Sequence, residues 1–282
     1  MSKRNRILGI VGLSLAGLII VAVVASILTI RTAWFQNYVR EKIIAVTEES
    51  TGGKVEIGSF AFDWTHLRAT IRNFVLHGTE PAGQAPLFRA SLIQLDLRLF
   101  SGLKKMVDLQ SLDVDQPQAN LLIYPNGNTN VPEPKVKSNS NTSGLETVVD
   151  LAIGHFNLTN GLLAFNAEKA KFSAKGENLR AQLAYNAVKP QYQGHLSMSP
   201  LCLQSDKNES VNANVNLPVT LEKDRITLSG GKLTTGVSEI SVDGSVDHMN
   251  APKTSAHLNA RVGFDDVRKL VDVPIQSGKG LP

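Results

Sequence analysis

The chain has 282 residues, of which 42% are hydrophobic, 19% charged and 6% aromatic, and its formal net charge is +4. This length can bury a sizeable core and excludes wholesale disorder, and the single Cys202 excludes a framework of internal disulfides. The 29 Lys and Arg residues barely outnumber the 25 Asp and Glu residues and are spread along the chain. No nucleic-acid partner is therefore expected.

An uncharged apolar segment follows the first six residues. It runs from Ile7 to Ile30, and as a helix it would be about 36 Å long, enough to cross a hydrocarbon core of about 30 Å. The segment exceeds the apolar part of a cleaved signal peptide and ends without an A-x-A site, which favours a retained single-pass anchor. Lys3, Arg4 and Arg6 favour a cytoplasmic tail over residues 1–6, with the bulk of the chain on the far side.

Residues 31–53 predict a short amphipathic helix next to the membrane. Trp34, Phe35 and Tyr38 lie where aromatic rings favour the interface, so they are candidate membrane-interface anchors. Apolar residues recur at helical spacing until the glycine pair at 52–53 ends the pattern. The pattern fits equally well a helix docked on the following domain and a helix lying on the membrane surface.

Beyond this helix the sequence alternates apolar and polar residues, which is typical of β-strands with one apolar face. The alternation is cleanest over Ile93 to Leu99, Val211 to Leu217 and Ala256 to Val262. At least ten such runs follow one another without helix-sized connections. The sequence therefore predicts a mainly β fold with antiparallel neighbouring strands.

Composition divides this β-rich part in two. Residues 125–144 are rich in Pro, Asn, Ser and Gly, which predicts a disordered linker or loop between a first β-region, 54–124, and a second, 145–282. Near the end, Phe264 to Val271 predicts a short helix with acidic residues in its first turn. The last eight residues form no closing strand, which is compatible with a fragment of a longer protein.

Residues with catalytic or metal-binding chemistry show no recognisable spacing. The six histidines are scattered, and no HExxH or Cys/His pattern is present. Asp113 and Asp115 share a strand face, but exposed faces often carry such pairs. We therefore predict no enzymatic activity, no metal site and no cofactor.

Several stretches resemble the N-terminal region of AsmA-like and TamB-like envelope proteins. They are Arg31 to Arg40, Thr51 to Phe60 followed by Phe62-Asp63-Trp64, Phe74 to Glu80 and Val107 to Pro117. As in that family, an anchor, a short helix, a strand of the form GG-V-IG and hairpins follow one another. The resemblance covers about the first half of the chain and rests on structural motifs.

The resemblance implies an inner-membrane protein whose periplasmic β-sheet curls into a groove with an apolar interior, used in outer-membrane biogenesis. Membrane phospholipid would be bound or conducted along the groove; the alternative is a scaffold that assists outer-membrane protein assembly by β-augmentation. From the alternation alone, an open groove and a closed core are equally compatible. The candidate lining residues, which a closed core would bury instead, are Ile71, Val75, Ile93, Leu95, Leu97 and Leu99.

Overall fold

The structure is a computed structural model that describes residues 32–99, 107–135, 143–206 and 209–270. Its helices are α1 (Ala33–Thr51), α2 (Gly144–Asp150) and α3 (Phe264–Leu270). Its strands are β1 (Lys54–Asp63), β2 (Arg68–His77), β3 (Phe88–Leu99), β4 (Val107–Asp115), β5 (Gln118–Ile123), β6 (His155–Ala167), β7 (Phe172–Asn186), β8 (Gln191–Gln204), β9 (Ser210–Glu222), β10 (Arg225–Thr234), β11 (Glu239–Asp247) and β12 (Lys253–Arg261).

All twelve strands belong to one sheet, and they lie in it in the order of the sequence. β4 and β5 form one line, interrupted at Gln116 and Pro117, because both pair with β3 on one side and β6 on the other. Each strand runs antiparallel to its neighbours except where this line meets β6 in parallel. The predicted mainly β, largely antiparallel fold is confirmed, whereas the parallel junction was not predicted.

The two predicted β-regions are therefore parts of the same sheet. Parallel pairing requires the chain to return from the end of β5 to the start of β6, and residues 124–154 make this crossing. Of the predicted disordered linker or loop, 125–144, the part up to residue 135 is a loop with defined contacts. Asn130 is fully buried, and its side chain accepts a hydrogen bond from Leu122 N (2.9 Å) and donates one to Asn120 O (2.8 Å). The Asn130 side chain thus supplies hydrogen-bond partners for two backbone groups of β5, Leu122 N and Asn120 O.

Helix α1 begins and ends at recognisable caps. The Thr32 hydroxyl accepts a hydrogen bond from Phe35 N (3.3 Å), and Gly52 ends the helix in the left-handed conformation at φ 78°. α1 packs against β1, and the Glu48 carboxylate accepts a hydrogen bond from Val55 N (2.9 Å). The helix is therefore docked on the sheet, one of the two alternatives that its sequence left open.

Helix α2 was not predicted, although its sequence carries a capping box. The Ser143 hydroxyl accepts a hydrogen bond from Glu146 N (3.1 Å), and Glu146 lies three residues after this cap. Helix α3 matches the predicted short helix near the C-terminus, with Asp265 and Asp266 in its first turn.

The predicted anchor, 7–30, and the tail, 1–6, lie outside the described residues, as does the end of the chain from residue 271. Among the helices that the structure does describe, none combines the length and apolar character needed to cross a membrane.

Candidate functional site

One face of the sheet carries apolar rows that run across the strands. Within a row, each residue lies directly opposite the next one on the neighbouring strand. The register of strand pairing therefore determines which residues form the row. The longest row crosses eleven strands and consists of Phe62, Ala69, Leu95, Leu112, Phe156, Leu183, Gly194, Val219, Leu228, Gly244 and Ala256. A second row consists of Phe60, Ile71, Ile93, Val114, Leu158, Ala181, Leu196 and Leu217. A third consists of Val55, Leu76, Phe88, Ala119, Leu163, Gly176, Leu201 and Ala213. We call these three rows the apolar strip.

A line of polar residues with left-handed backbone separates the third row from the other two. Asn73, Gln116, Asn160 and Asn178 have φ values of 52°, 50°, 55° and 50°, and we call them the seam. A left-handed residue inside a strand interrupts the alternation of side chains between the two faces. Asparagine tolerates this conformation better than most residues. Three of the four seam positions are asparagine, so the residue type indicates the interruption there even though the alternation pattern does not.

Polar contacts hold the seam together from strand to strand. The Ser91 hydroxyl donates to Gln116 Oε1 (2.9 Å), and the Asn178 amide donates to Ser199 O (2.8 Å). The Asn160 amide donates to Asp115 Oδ1 (2.9 Å). Three of the four seam side chains, those of Gln116, Asn160 and Asn178, are thus hydrogen-bonded to neighbouring strands.

Residues from both sides of the seam share the apolar face. A Cβ atom added to Gly176, in the third row, would lie 1.7 Å from the sulfur of Met198, which belongs to the opposite side of the seam. A Cβ atom added to Gly161 would lie 3.0 Å from a methyl group of Leu158. The strip is therefore continuous along the strands as well as across them. We call its two parts the α1 half, which contains the third row, and the α2 half, which contains the first two.

Helix α2 covers part of the α2 half. Val149 is fully buried and packs with Ile153 and Tyr192, which are 6% and 2% exposed. Around them lie partly buried apolar residues, namely Leu109, Leu112, Leu145, Leu183, Tyr185 and Leu221. The Tyr192 hydroxyl accepts a hydrogen bond from Ile153 N (2.7 Å), and burial of this hydroxyl raises its pKa.

The α1 half is less covered in its middle. At one side of this half, Val55 of β1 is buried, and α1 packs against β1. At the other side, Ala213 of β9 is buried, and α3 packs against β9. Between them, Phe88 and Leu201 are half-buried and Leu163 keeps 37% of its surface exposed. An apolar area therefore faces outward from β3 to β8.

The opposite face of the sheet is mainly polar, and several of its side chains pair with one another. Arg68 donates two hydrogen bonds to the Asp96 carboxylate, at 2.6 and 2.8 Å, and this contact lowers the pKa of Asp96. The Asp113 carboxylate accepts hydrogen bonds from Asn157 (2.8 Å) and Ser111 (3.1 Å). Asp113, considered from its sequence as part of a carboxylate pair, is thus bound to neighbouring strands.

Three predicted lining residues lie in the apolar strip: Ile71, Ile93 and Leu95. Leu97 pairs with Leu109, which packs against α2, so it belongs to the same apolar face beneath the helix. Leu99 is the last residue of β3.

Val75 lies on the opposite face. It pairs with Glu56 on one side and Arg89 on the other, in a row of mixed polarity. Unbroken alternation from Ile71 would place Val75 in the strip, but the left-handed Asn73 lies between them. Phe74 occupies the apolar face instead, where it contacts the ring of Phe88 at 6.0 Å between centroids.

The candidate membrane-interface residues lie at the start of α1. Trp34 and Tyr38 are 67% and 51% exposed, and their rings stack at 5.9 Å. The third candidate, Phe35, is half-buried and therefore less accessible than Trp34 and Tyr38. The two exposed rings therefore remain accessible directly after the predicted anchor.

Titratable side chains form separate pairs in the described parts of the chain. His66, His77 and His248 each contact a carboxylate, at 2.7, 3.1 and 3.1 Å, but in different turns. Within the same ranges no three His, Cys, Asp or Glu side chains come together as metal ligands would. The chain matches no protein-family model and no curated protein. The apolar strip is therefore the feature on which a functional proposal can rest.

Proposed function

We propose that the protein binds acyl chains of membrane phospholipid on the apolar strip, as a non-enzymatic, membrane-anchored member of the AsmA-like and TamB-like envelope proteins. The observation that carries this proposal is the partly exposed α1 half of the strip between β3 and β8. Apolar surface that faces outward across several neighbouring strands favours a ligand, a partner or a second layer over it.

The chemistry of the strip favours acyl chains as the ligand. Its three rows contain only apolar residues and glycine, so they offer non-directional apolar contact and no side-chain hydrogen bonds. The third row, in the less covered α1 half, crosses eight strands, which at about 4.8 Å spacing gives it a length of about 34 Å, along which an extended acyl chain can lie. The polar opposite face stays in water, as a groove with a wet exterior requires.

The position of the strip relative to α1 supports a membrane origin for the lipid. The predicted anchor, 7–30, precedes α1, whose exposed Trp34 and Tyr38 suit the membrane interface. α1 ends at Thr51, three residues before Lys54 begins β1 in the α1 half. A lipid leaving the membrane would therefore reach the less covered half first. We place the anchor in the inner membrane and the sheet in the periplasm.

Two neighbouring substitutions on β6 test the proposal. Phe165 lies two residues after Leu163 of the third row and pairs with Leu121 and Ala174, so it adjoins the strip on the same apolar face, whereas Asn166 is exposed on the other face. The full chain and its Phe165→Glu and Asn166→Glu variants would be purified in mild detergent and examined by native mass spectrometry with lipid extraction. We expect bound phospholipid in the wild type and in Asn166→Glu, and a large loss in Phe165→Glu.

Circular dichroism of both variants controls for folding. A wild-type chain without phospholipid, or equal lipid loss in two folded variants, would refute lipid binding on the strip. A monodisperse, lipid-free protein would instead indicate that this face is closed by packing.

A further inference from the structure

A pocket of about 540 Å³ lies on the face of the sheet opposite the apolar strip. Two neighbouring rows of side chains across β5, β6, β7 and β8 form its floor. Lys175 belongs to one of these rows and directly precedes Gly176 of the third apolar row, so alternation places it on the other face. The volume lies within the range of about 300–1,000 Å³ that is typical of small-molecule sites.

Short side chains and an attached loop create this hollow. In the first row, Ala164 and Cys202 lie on either side of Lys175, so the floor is low there. The loop between β2 and β3 forms a wall. Asn120 on β5 holds this loop, because its side-chain amide donates a hydrogen bond to Pro86 O (2.7 Å). The pocket is therefore formed by contacts within the chain, before any ligand binds.

The second row supplies groups that both donate and accept hydrogen bonds. Asn166, Ser173 and Gln204 lie side by side in it, and their side chains form no hydrogen bond to another described residue. Amides and hydroxyls match the hydroxyl groups of a sugar, and a side-chain amide pairs reciprocally with an acetamido group. Leu122 and Ala164 add apolar contact for the C–H groups of a sugar ring.

The pocket carries one positive charge. Of the described residues that line it, none is acidic, and Lys175 is the charged one. The Lys175 ammonium contacts the Glu177 carboxylate at 2.9 Å. Because an ammonium group has three N–H donors, this contact leaves donors for a ligand carboxylate while Glu177 stays in place.

We propose that this pocket binds an acidic, N-acetylated sugar. Asn166, Ser173 and Gln204 bind its hydroxyl and acetamido groups, and Lys175 binds its carboxylate. The site lies on the opposite face from the apolar strip, so the inference does not depend on lipid binding, and the two proposals can fail separately.

Cys202 reports occupancy of the pocket, because it is the single cysteine of the chain and lies in the pocket floor. The rate of its alkylation by iodoacetamide would be measured on the full chain, in a detergent without a sugar headgroup. N-acetylmuramic acid is the test ligand, and N-acetylglucosamine is the matched control, because it lacks only the lactyl group that carries the carboxylate. We expect N-acetylmuramic acid to slow alkylation at concentrations roughly fivefold lower than N-acetylglucosamine does, as one partly exposed ion pair allows.

Two lysine variants test the role of the charge. Lys175→Met should remove the difference between the two sugars. Lys169→Met should preserve it, because Lys169 is exposed in the turn between β6 and β7 and lies outside the pocket. Each variant is compared with its own rate without sugar, because Lys175 lies directly opposite Cys202 and affects the thiol itself. Circular dichroism controls for folding.

Four results would overturn the proposal. They are no protection by N-acetylmuramic acid, equal protection by both sugars in the wild type, an unchanged preference in folded Lys175→Met, and a thiol that does not react even without sugar, which would mean a closed pocket. Protection by trialanine as strong as that by N-acetylmuramic acid would indicate a peptide site and would contradict the proposal as well.

Discussion

The contact between Tyr192 and Ile153 should determine how firmly α2 is held on the sheet. Both residues are buried, and the Tyr192 hydroxyl is the acceptor for Ile153 N at 2.7 Å. Tyr192→Phe removes the acceptor and leaves a buried N–H without a partner, which costs about 1–3 kcal/mol. For a chain of this size, each kcal/mol lowers Tm by roughly 2–4 °C, so we expect a decrease of about 2–12 °C.

Thermal unfolding followed by circular dichroism measures this decrease. Tyr185→Phe is a matched control, because its ring lies 5.2 Å from that of Tyr192 and the described structure gives its hydroxyl no hydrogen bond. The pKa of Tyr192 is raised in the folded protein, so its contribution is present below pH 10 and is lost as pH rises through the folded value. In the Tyr192→Phe variant, this loss of folding stability at alkaline pH should be absent. Equal Tm values for wild type and Tyr192→Phe would refute the role assigned to this contact.

Two further substitutions test the sheet and the attachment of α3. A Cβ atom at Gly194 would lie 1.8 Å from the backbone oxygen of Gln182, so Gly194→Ala should destabilise the sheet by about 1–3 kcal/mol in urea unfolding; unchanged stability would contradict this close approach. Hydrogen bonds from Ser238 and Thr235 lower the pKa of Asp266, so its contribution is present above about pH 4 and is lost as pH falls through the folded value. Asp266→Asn should flatten the decrease in stability below pH 4, and an identical acid profile in the variant would count against this.

The seam explains why face assignments from sequence were correct within a run and failed across it. Ile93 and Leu95 belong to one uninterrupted run, so period-two alternation placed them on the same face. Ile71 and Val75 are also an even number of residues apart, but Asn73 at φ 52° lies between them. A single backbone dihedral thus moves the remaining part of a strand to the other face.

The predicted strands did not include β6 and β8. β6 contains Asn160 in the left-handed conformation and β8 contains Pro200, so neither strand keeps one alternation from end to end. α2 was missed for a different reason. It has only seven residues, and its capping box between Ser143 and Glu146 falls at the end of a segment whose composition indicated disorder.

The sequence by itself determined the mainly β class, the antiparallel neighbours, most strand positions and the short helix at Phe264–Leu270. These features depend on local patterns of two to four residues, which a sequence displays directly. Tertiary structure decided that both β-regions form one sheet, that β6 joins β4 and β5 in parallel, and that α2 covers one half of the strip. These features depend on which distant segments pair and in what register. A one-residue change of register would exchange the two faces, so the strip exists only because the long-range pairing aligns separate apolar runs.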